Sequence, residues 1–389
     1  MSQRSENQVS VADFDTPVDR QKTSSLKWDR YQGKDILPMW VADTDFKVAA
    51  EITQALKARA DHGVFGYTLV PDELKDLIIQ RMSDLYHWTV AREDIVFIPG
   101  LVCGLNVASR AYAGEGKSVG IPTPIYPPFV SAVENACAES CFVPFVEESG
   151  RWMIDWSALE AKAADIDLLM LCNPHNPGGT VYRRNELERL ASLAEQHDWI
   201  MCSDEIHCDL ILDELEHIPF ASVSEVARER SCTLMAPSKT WNIAGLGCSF
   251  AIIEDPQLRR RFRKTMQGIV PEINLMSIEA AKAAYQYGQP WLNAQIEYLI
   301  GNRDYIEAQV EDIPGLSMLH TEATYLAWID ASQLGLENPA RYFEKFGVGL
   351  SAGSDFGAPQ FVRLNFGCTR ALLTCALQRI RQAVDSLPE

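Results

Sequence analysis

Between residues 94 and 253, seven apolar runs of five or six residues recur at intervals long enough to hold a helix. They are DIVFI (94–98), SVGIP (118–122), CFVPFV (141–146), DLLMLC (167–172), WIMCS (199–203), CTLMA (232–236) and CSFAII (248–253). Short apolar runs separated by amphipathic segments predict an α/β layer with a largely parallel sheet. One intervening helix carries its own start signal. Asn185 followed by Glu188 reads as a capping-box-like start, and Leu187, Leu190, Ala191 and Ala194 fall on one helical face. The connection from run 167–172 to run 199–203 is therefore expected to be a βαβ crossover.

After about residue 275 the pattern changes to long amphipathic helices, Ser277 to Tyr287 and Trp291 to Val310. Two strand-like runs come next, TYLAWID (324–330) and QFVRLNF (360–366), and then a helix from Arg370 to Ser386. This predicts a second, smaller α+β domain. The expected division is 1–48 as an N-terminal arm and part of the small domain, 49–280 as the large domain, and 281–389 as the small C-terminal domain. No internal repeat is visible, and roughly the first 12 residues read as flexible.

Composition narrows the function classes. The chain has 389 residues, enough for two or three domains, and 53 acidic against 35 basic side chains give a formal charge of −18. That balance argues against non-specific binding to nucleic acid or to an anionic membrane. Ten cysteines occur without a C-x-x-C pair, so neither a disulfide framework nor a zinc site is expected. With a polar N-terminus and no apolar run of about 18 residues, the expectation is a cytoplasmic protein.

In open α/β sheets ligands sit beyond the C-terminal ends of the strands, so the residues just after each apolar run are informative. DLLMLC leads into Asn173-Pro174-His175-Asn176-Pro177-Gly178-Gly179, WIMCS into Asp204-Glu205-Ile206-His207, and CTLMAP into Ser238-Lys239-Thr240. Three consecutive strands thus bring an amide, a carboxylate and an amine to one edge. The trio suits an aromatic, phosphorylated aldehyde cofactor, which needs an amine for a Schiff base, an acid for a pyridinium nitrogen and an amide for a phenolate oxygen.

At these residues the sequence resembles the fold-type I pyridoxal-phosphate enzymes, and within them the MalY/PatB-type cystathionine β-lyases. The resemblance is carried by LPMWVADTDF (37–46), HGVFGYT (62–68), CNPHNPGG (172–179), SDEIHCDL (203–210), APSKTWNIAGL (236–246) and VRLNFGC (362–368), in that order. It implies pyridoxal 5′-phosphate as cofactor, held in a large domain whose mainly parallel seven-stranded sheet is sandwiched by helices, beside a smaller α+β domain. It makes Lys239 the Schiff-base lysine, Asp204 the partner of the pyridine nitrogen, Asn176 a donor to the ring oxygen and Tyr126 the aromatic residue packed on the ring. Arg363 corresponds to the arginine that binds the substrate carboxylate, a role suited to its planar fork. For the phosphate, the segment PGLVCGLN (99–106) opens a helix pattern after a strand, so the amides of Val102 and Cys103 could face an anion. Ser238 resembles a phosphate-contacting serine. Tyr67 resembles a tyrosine that reaches the phosphate from the neighbouring subunit, which implies a homodimer. His175 and His207 stay outside the catalytic set.

Two departures bear on the class. Many aminotransferases of this superfamily carry a phosphate-binding arginine eight residues after the lysine, where this chain has Gly247. The segment 351–365 also reads as shortened. The activity expected is α,β-elimination of L-cystathionine or another L-cysteine S-conjugate to thiol, pyruvate and ammonia. The alternatives are an aminotransferase, a specialised biosynthetic enzyme on an unusual thioether, or a regulatory interaction protein that keeps the fold.

Overall fold

The computed structural model describes residues 9–388. All seven apolar runs form strands of one eight-stranded sheet: β1 Ile95–Ile98, β2 Ser118–Thr123, β3 Glu139–Glu148, β4 Arg151–Ile154, β5 Leu168–Cys172, β6 Ile200–Asp204, β7 Ser231–Met235 and β8 Ser249–Ile252. Their order across the sheet is β1-β8-β7-β6-β5-β2-β3-β4. The strands β7, β6, β5, β2 and β3 are parallel neighbours, while β8 and β4 pair antiparallel. The expected count of seven missed β4, whose four residues return from β3 through Ser149-Gly150 as an edge hairpin and match no apolar run. Strands β5 and β7 have every residue buried, and β6 all but its first, which is why they read as continuous apolar runs rather than alternating ones.

The crossover between β5 and β6 is the helix Arg184–His197, with Leu187, Leu190, Ala191 and Ala194 in the core. Its start lies two residues earlier than the sequence signal. The Arg183 amide donates to the Glu186 carboxylate at 2.7 Å, so Glu186 and not Glu188 closes the first turn.

Four further strands, β9 Ser317–Met318, β10 Leu326–Asp330, β11 Ser351–Ala352 and β12 Phe361–Asn365, form an antiparallel sheet in the order β9-β10-β12-β11. The helices Gln289–Glu311 and Arg370–Asp385 pack on it, burying Leu299, Ile306, Leu373 and Leu377 in one cluster with Leu326 and Leu364. The N-terminal segment joins the same unit, because Leu37–Pro38 pairs in parallel with Val348–Gly349. Of the stretch expected to be flexible, residues 1–8 lie outside the described residues. From Val9 onward the chain is docked, with Phe14 buried against Phe46 and Trp291. No described helix is long and apolar enough to cross a membrane.

The sheet's winding reverses between β2 and β5: β3 lies on one side of β2, and β6 and β7 continue from β5 on the other. A crevice at such a reversal, beyond the C-terminal strand ends, is where open α/β sheets bind ligands.

Candidate active site

A cavity of about 600 Å³ opens at that crevice, with Tyr126, Asn176, Asp204, Ser238, Lys239 and Arg363 in its wall. The large sheet supplies all but one of these side chains. Asn176 comes after β5, Asp204 ends β6, Ser238 and Lys239 come after β7, and Tyr126 lies just past β2. Arg363 comes from the second sheet, in the middle of β12, where it faces Ser351 of β11 in register.

The electrostatics of this wall are set by burial without an ion-pair partner. Asp204 is buried, and its Oδ1 accepts the Ile206 amide at 3.1 Å. No cationic side chain pairs with it among the described residues, and burial pushes its carboxyl up to about 7. The Lys239 amine donates to the Ala42 carbonyl at 2.6 Å, and burial, with Arg363 nearby, pulls it down to about 8. Arg363 is buried too. Its two terminal nitrogens donate to Asn176 Oδ1 at 2.9 Å, to the Trp40 carbonyl at 3.0 Å and to Ser351 Oγ at 3.3 Å, and the guanidinium lies 4.7 Å from the Phe356 ring centroid. It meets no carboxylate among the described residues, its Nε has no partner, and burial lowers it to about 10. A buried guanidinium left without an anion is a site awaiting a carboxylate.

The remaining predicted residues divide. Val102 lines the cavity in the first turn of the helix Leu101–Tyr112, whose Gly100 N-cap offers no side-chain oxygen. The first intrahelical bond of that helix runs from Gly104 to Gly100, so the amides of residues 101–103 make no backbone bond and are free for an anion. The Cys103 side chain packs on the core and stays out of the cavity, leaving only its amide for the expected role. Tyr67 lies in the segment between the helices Ala50–His62 and Asp72–Tyr86, fully exposed and outside its own chain's cavity.

His175 stacks on Phe145 at 4.0 Å and bonds the Pro124 carbonyl through Nε2. That is a scaffold role. His207 lines the cavity beside Tyr325, its buried Nδ1 has no partner, and burial lowers it to about 3, so the ring is neutral.

The segment Trp40–Asp45 is a structural part of the site that residue types alone do not disclose. The Ala42 carbonyl accepts from both Lys239 and the Tyr325 hydroxyl, the Trp40 carbonyl accepts from Arg363 and Ser351, and Asn365 donates to the carbonyls of Val41 and Asp43. Main-chain carbonyls carry no side-chain signature. The motif LPMWVADTDF marks the segment without revealing that its backbone holds the lysine and the arginine.

Gly247 takes φ +71°, and a Cβ there would stand 2.8 Å from the Pro99 carbonyl oxygen. An arginine at this position is therefore excluded by the close approach of the chain entering the helix Leu101–Tyr112. The segment 351–365 closes tightly over the arginine, with Ser351 bonded to Arg363, Phe356 against its guanidinium and the Phe356 carbonyl accepting the Ile125 amide at 3.1 Å.

The site's donors fit pyridoxal 5′-phosphate. A buried carboxylate without a cation suits a ring N–H, an amine of depressed basicity suits an aldehyde, and a free helix turn beside Ser238 suits a phosphate.

The family model for aminotransferase class I and II matches residues 35–380. This chain belongs to that family. Cystathionine beta-lyase PatB of Bacillus subtilis is 40% identical over 96% of this chain and 100% of its own length, and protein MalY of Escherichia coli is 34% identical over 96% and 99%. Among solved structures, OvoB superposes with a TM-score of 0.94 at 49% identity, covering 96% of this chain and 99% of its own. Cystalysin of Treponema denticola, which contains pyridoxal 5′-phosphate, superposes at 0.92 with 31% identity over 96% and 99%.

Proposed function

We propose that this protein is a pyridoxal-phosphate-dependent carbon–sulfur β-lyase that eliminates the thiol from an L-cysteine S-conjugate such as L-cystathionine, leaving pyruvate and ammonia. The observation that carries the reading is the convergence, in one cavity, of an amine lowered to about 8 and a buried guanidinium without an anion. The similarity to cystathionine β-lyases over nearly the whole chain supports it.

When bound, the cofactor supplies an electron sink for the Cα–H bond of the substrate. Lys239 holds the reactive amine, and its Nζ takes the Cα proton. Lowered basicity keeps a usable fraction of that amine neutral near pH 8. Arg363 binds the substrate carboxylate through its fork and fixes which bond at Cα faces the cofactor. Asn176 Oδ1 is occupied by Arg363, which leaves its amide NH₂ for the ring oxygen. Asp204 would accept from the ring nitrogen, Tyr126 would cover the ring, and Ser238 with the amides of Val102 and Cys103 would hold the phosphate.

The exposure of Tyr67 supports a homodimer in which it completes the neighbouring site. Ten free cysteines suit a reducing, cytoplasmic setting. We further assign 49–280 to the large domain and 281–389 to the small one, with 1–48 as an N-terminal arm and part of the small domain.

The test is multiple-turnover release of pyruvate and thiol from L-cystathionine by the cofactor-loaded protein, with no 2-oxo acid present. Absence of release, with activity restored toward an amino donor by a 2-oxo acid, would reassign the protein as an aminotransferase.

A further inference from the structure

The cavity does not end at Arg363. Its wall continues outward to Arg30, Trp40, Arg341, Glu344 and Asp355, which belong to the N-terminal segment and to the short elements around β11. In a chain with 18 more acids than bases, the two arginines of this outer lobe stand without carboxylate partners. Neither guanidinium makes an ion pair or a hydrogen bond among the described residues. Arg30 lies over the Trp40 ring, 4.4 Å from its centroid, and the Trp40 carbonyl is the acceptor for Arg363. The outer cation is thus one residue away from the inner carboxylate site. Glu344 accepts the Tyr31 hydroxyl at 3.1 Å, and neither it nor Asp355 reaches an arginine of the lobe. The lobe therefore offers two guanidinium groups whose donors are free, beside two carboxylates that do not pair with them.

Resting on the β-lyase reading, we propose that this outer lobe is a subsite for the sulfur-bound leaving group, in which Arg30 and Arg341 select conjugates whose thiol carries an ionised carboxylate. The sulfur substituent of a cysteine conjugate bound with its α-carboxylate on Arg363 would find its room in the outer lobe, which is part of the same cavity. A substituent ending in carboxylate meets two donors there. A neutral alkyl substituent of equal length meets none.

The experiment compares S-(2-carboxyethyl)-L-cysteine, S-propyl-L-cysteine and S-(2-aminoethyl)-L-cysteine on the cofactor-loaded enzyme, read both as pyruvate release and as the saturable shift of the cofactor's visible band on binding. The carboxyethyl conjugate is expected to exceed the propyl conjugate about five- to tenfold in kcat/KM and in apparent affinity, the size of a part-exposed charge-assisted contact. That ratio should fall toward one in Arg341→Gln and in Arg30→Gln. Equal values for the carboxyethyl and propyl conjugates, a preference for the aminoethyl conjugate, or a ratio that survives both substitutions would overturn the subsite. If no conjugate releases pyruvate, the β-lyase reading fails, while the affinity ratio from the visible band still decides the subsite.

Discussion

Two lysines hold the same stretch of chain, and they are held in opposite ways. Lys27, wholly buried, donates to Asp45 at 2.8 Å, and Asp45 also accepts from Arg20 at 2.7 Å and from the Trp28 indole at 2.8 Å. Lys239 binds the segment three residues earlier, donating to the Ala42 carbonyl and meeting no carboxylate within ion-pair reach. The first is a closed electrostatic knot that ties the N-terminal segment to the core. The second is an amine kept ready, lowered to about 8 because no ion pair offsets its burial. Burial alone therefore does not mark a catalytic lysine; burial without a paired carboxylate does.

The comparison breaks first at the two lysines themselves. Lys239→Ala is expected to remove the cofactor's visible band and to lower turnover by about 10² to 10⁴, the range of a positioned general base. The unfolding midpoint of the cofactor-free protein should not fall, because the deleted amine has no ionic partner. Full turnover with the band intact would refute the assignment. Lys27→Met should do the reverse, costing about 3 kcal/mol in urea unfolding by opening a buried ion pair, with the visible band retained. A negligible stability loss would show that Arg20 and Trp28 satisfy Asp45 alone.

Much of the site is legible in the sequence because strand ends put consecutive residues at one edge. Asn176, Asp204 and Lys239 sit directly after apolar runs, so once the runs are read as parallel strands their convergence is implied. Arg363 is different. It reaches the cavity from the other sheet, and no periodicity links β12 to β6, so only the family resemblance points to it. The edge strand β4 escapes notice because a four-residue hairpin return has little apolar content to announce it. The helix at 184–197 is evident from its buried face, but its start is ambiguous by two residues because both Glu186 and Glu188 stand near the first turn. The outer lobe is invisible for a related reason: Arg30 and Arg341 are 311 positions apart and come to line one cavity only through folding.

Asp204 offers the finest test of the contrast, because its protonation links the cofactor-free and cofactor-loaded states. Its folded-state value of about 7 stands above the ordinary carboxylate value of 3.8. Between those two values the folded protein binds a proton that the unfolded chain has released, so the cofactor-free protein should lose stability as pH rises from about 4 to about 7. The slope attributable to this one group is at most about 1.4 kcal/mol per pH unit. Asp204→Asn preserves the oxygen that accepts the Ile206 amide and removes the titration, so its profile should be flatter across that window. Loading the wild-type protein with cofactor should flatten it as well, because a ring N–H facing the carboxylate favours its charged form. Urea midpoints of the three proteins at pH 5, 6 and 7 measure this directly. Parallel profiles for the wild type and Asp204→Asn would mean that Asp204 keeps an ordinary acidity in the fold, and the pairing with a ring nitrogen would then lose its electrostatic basis.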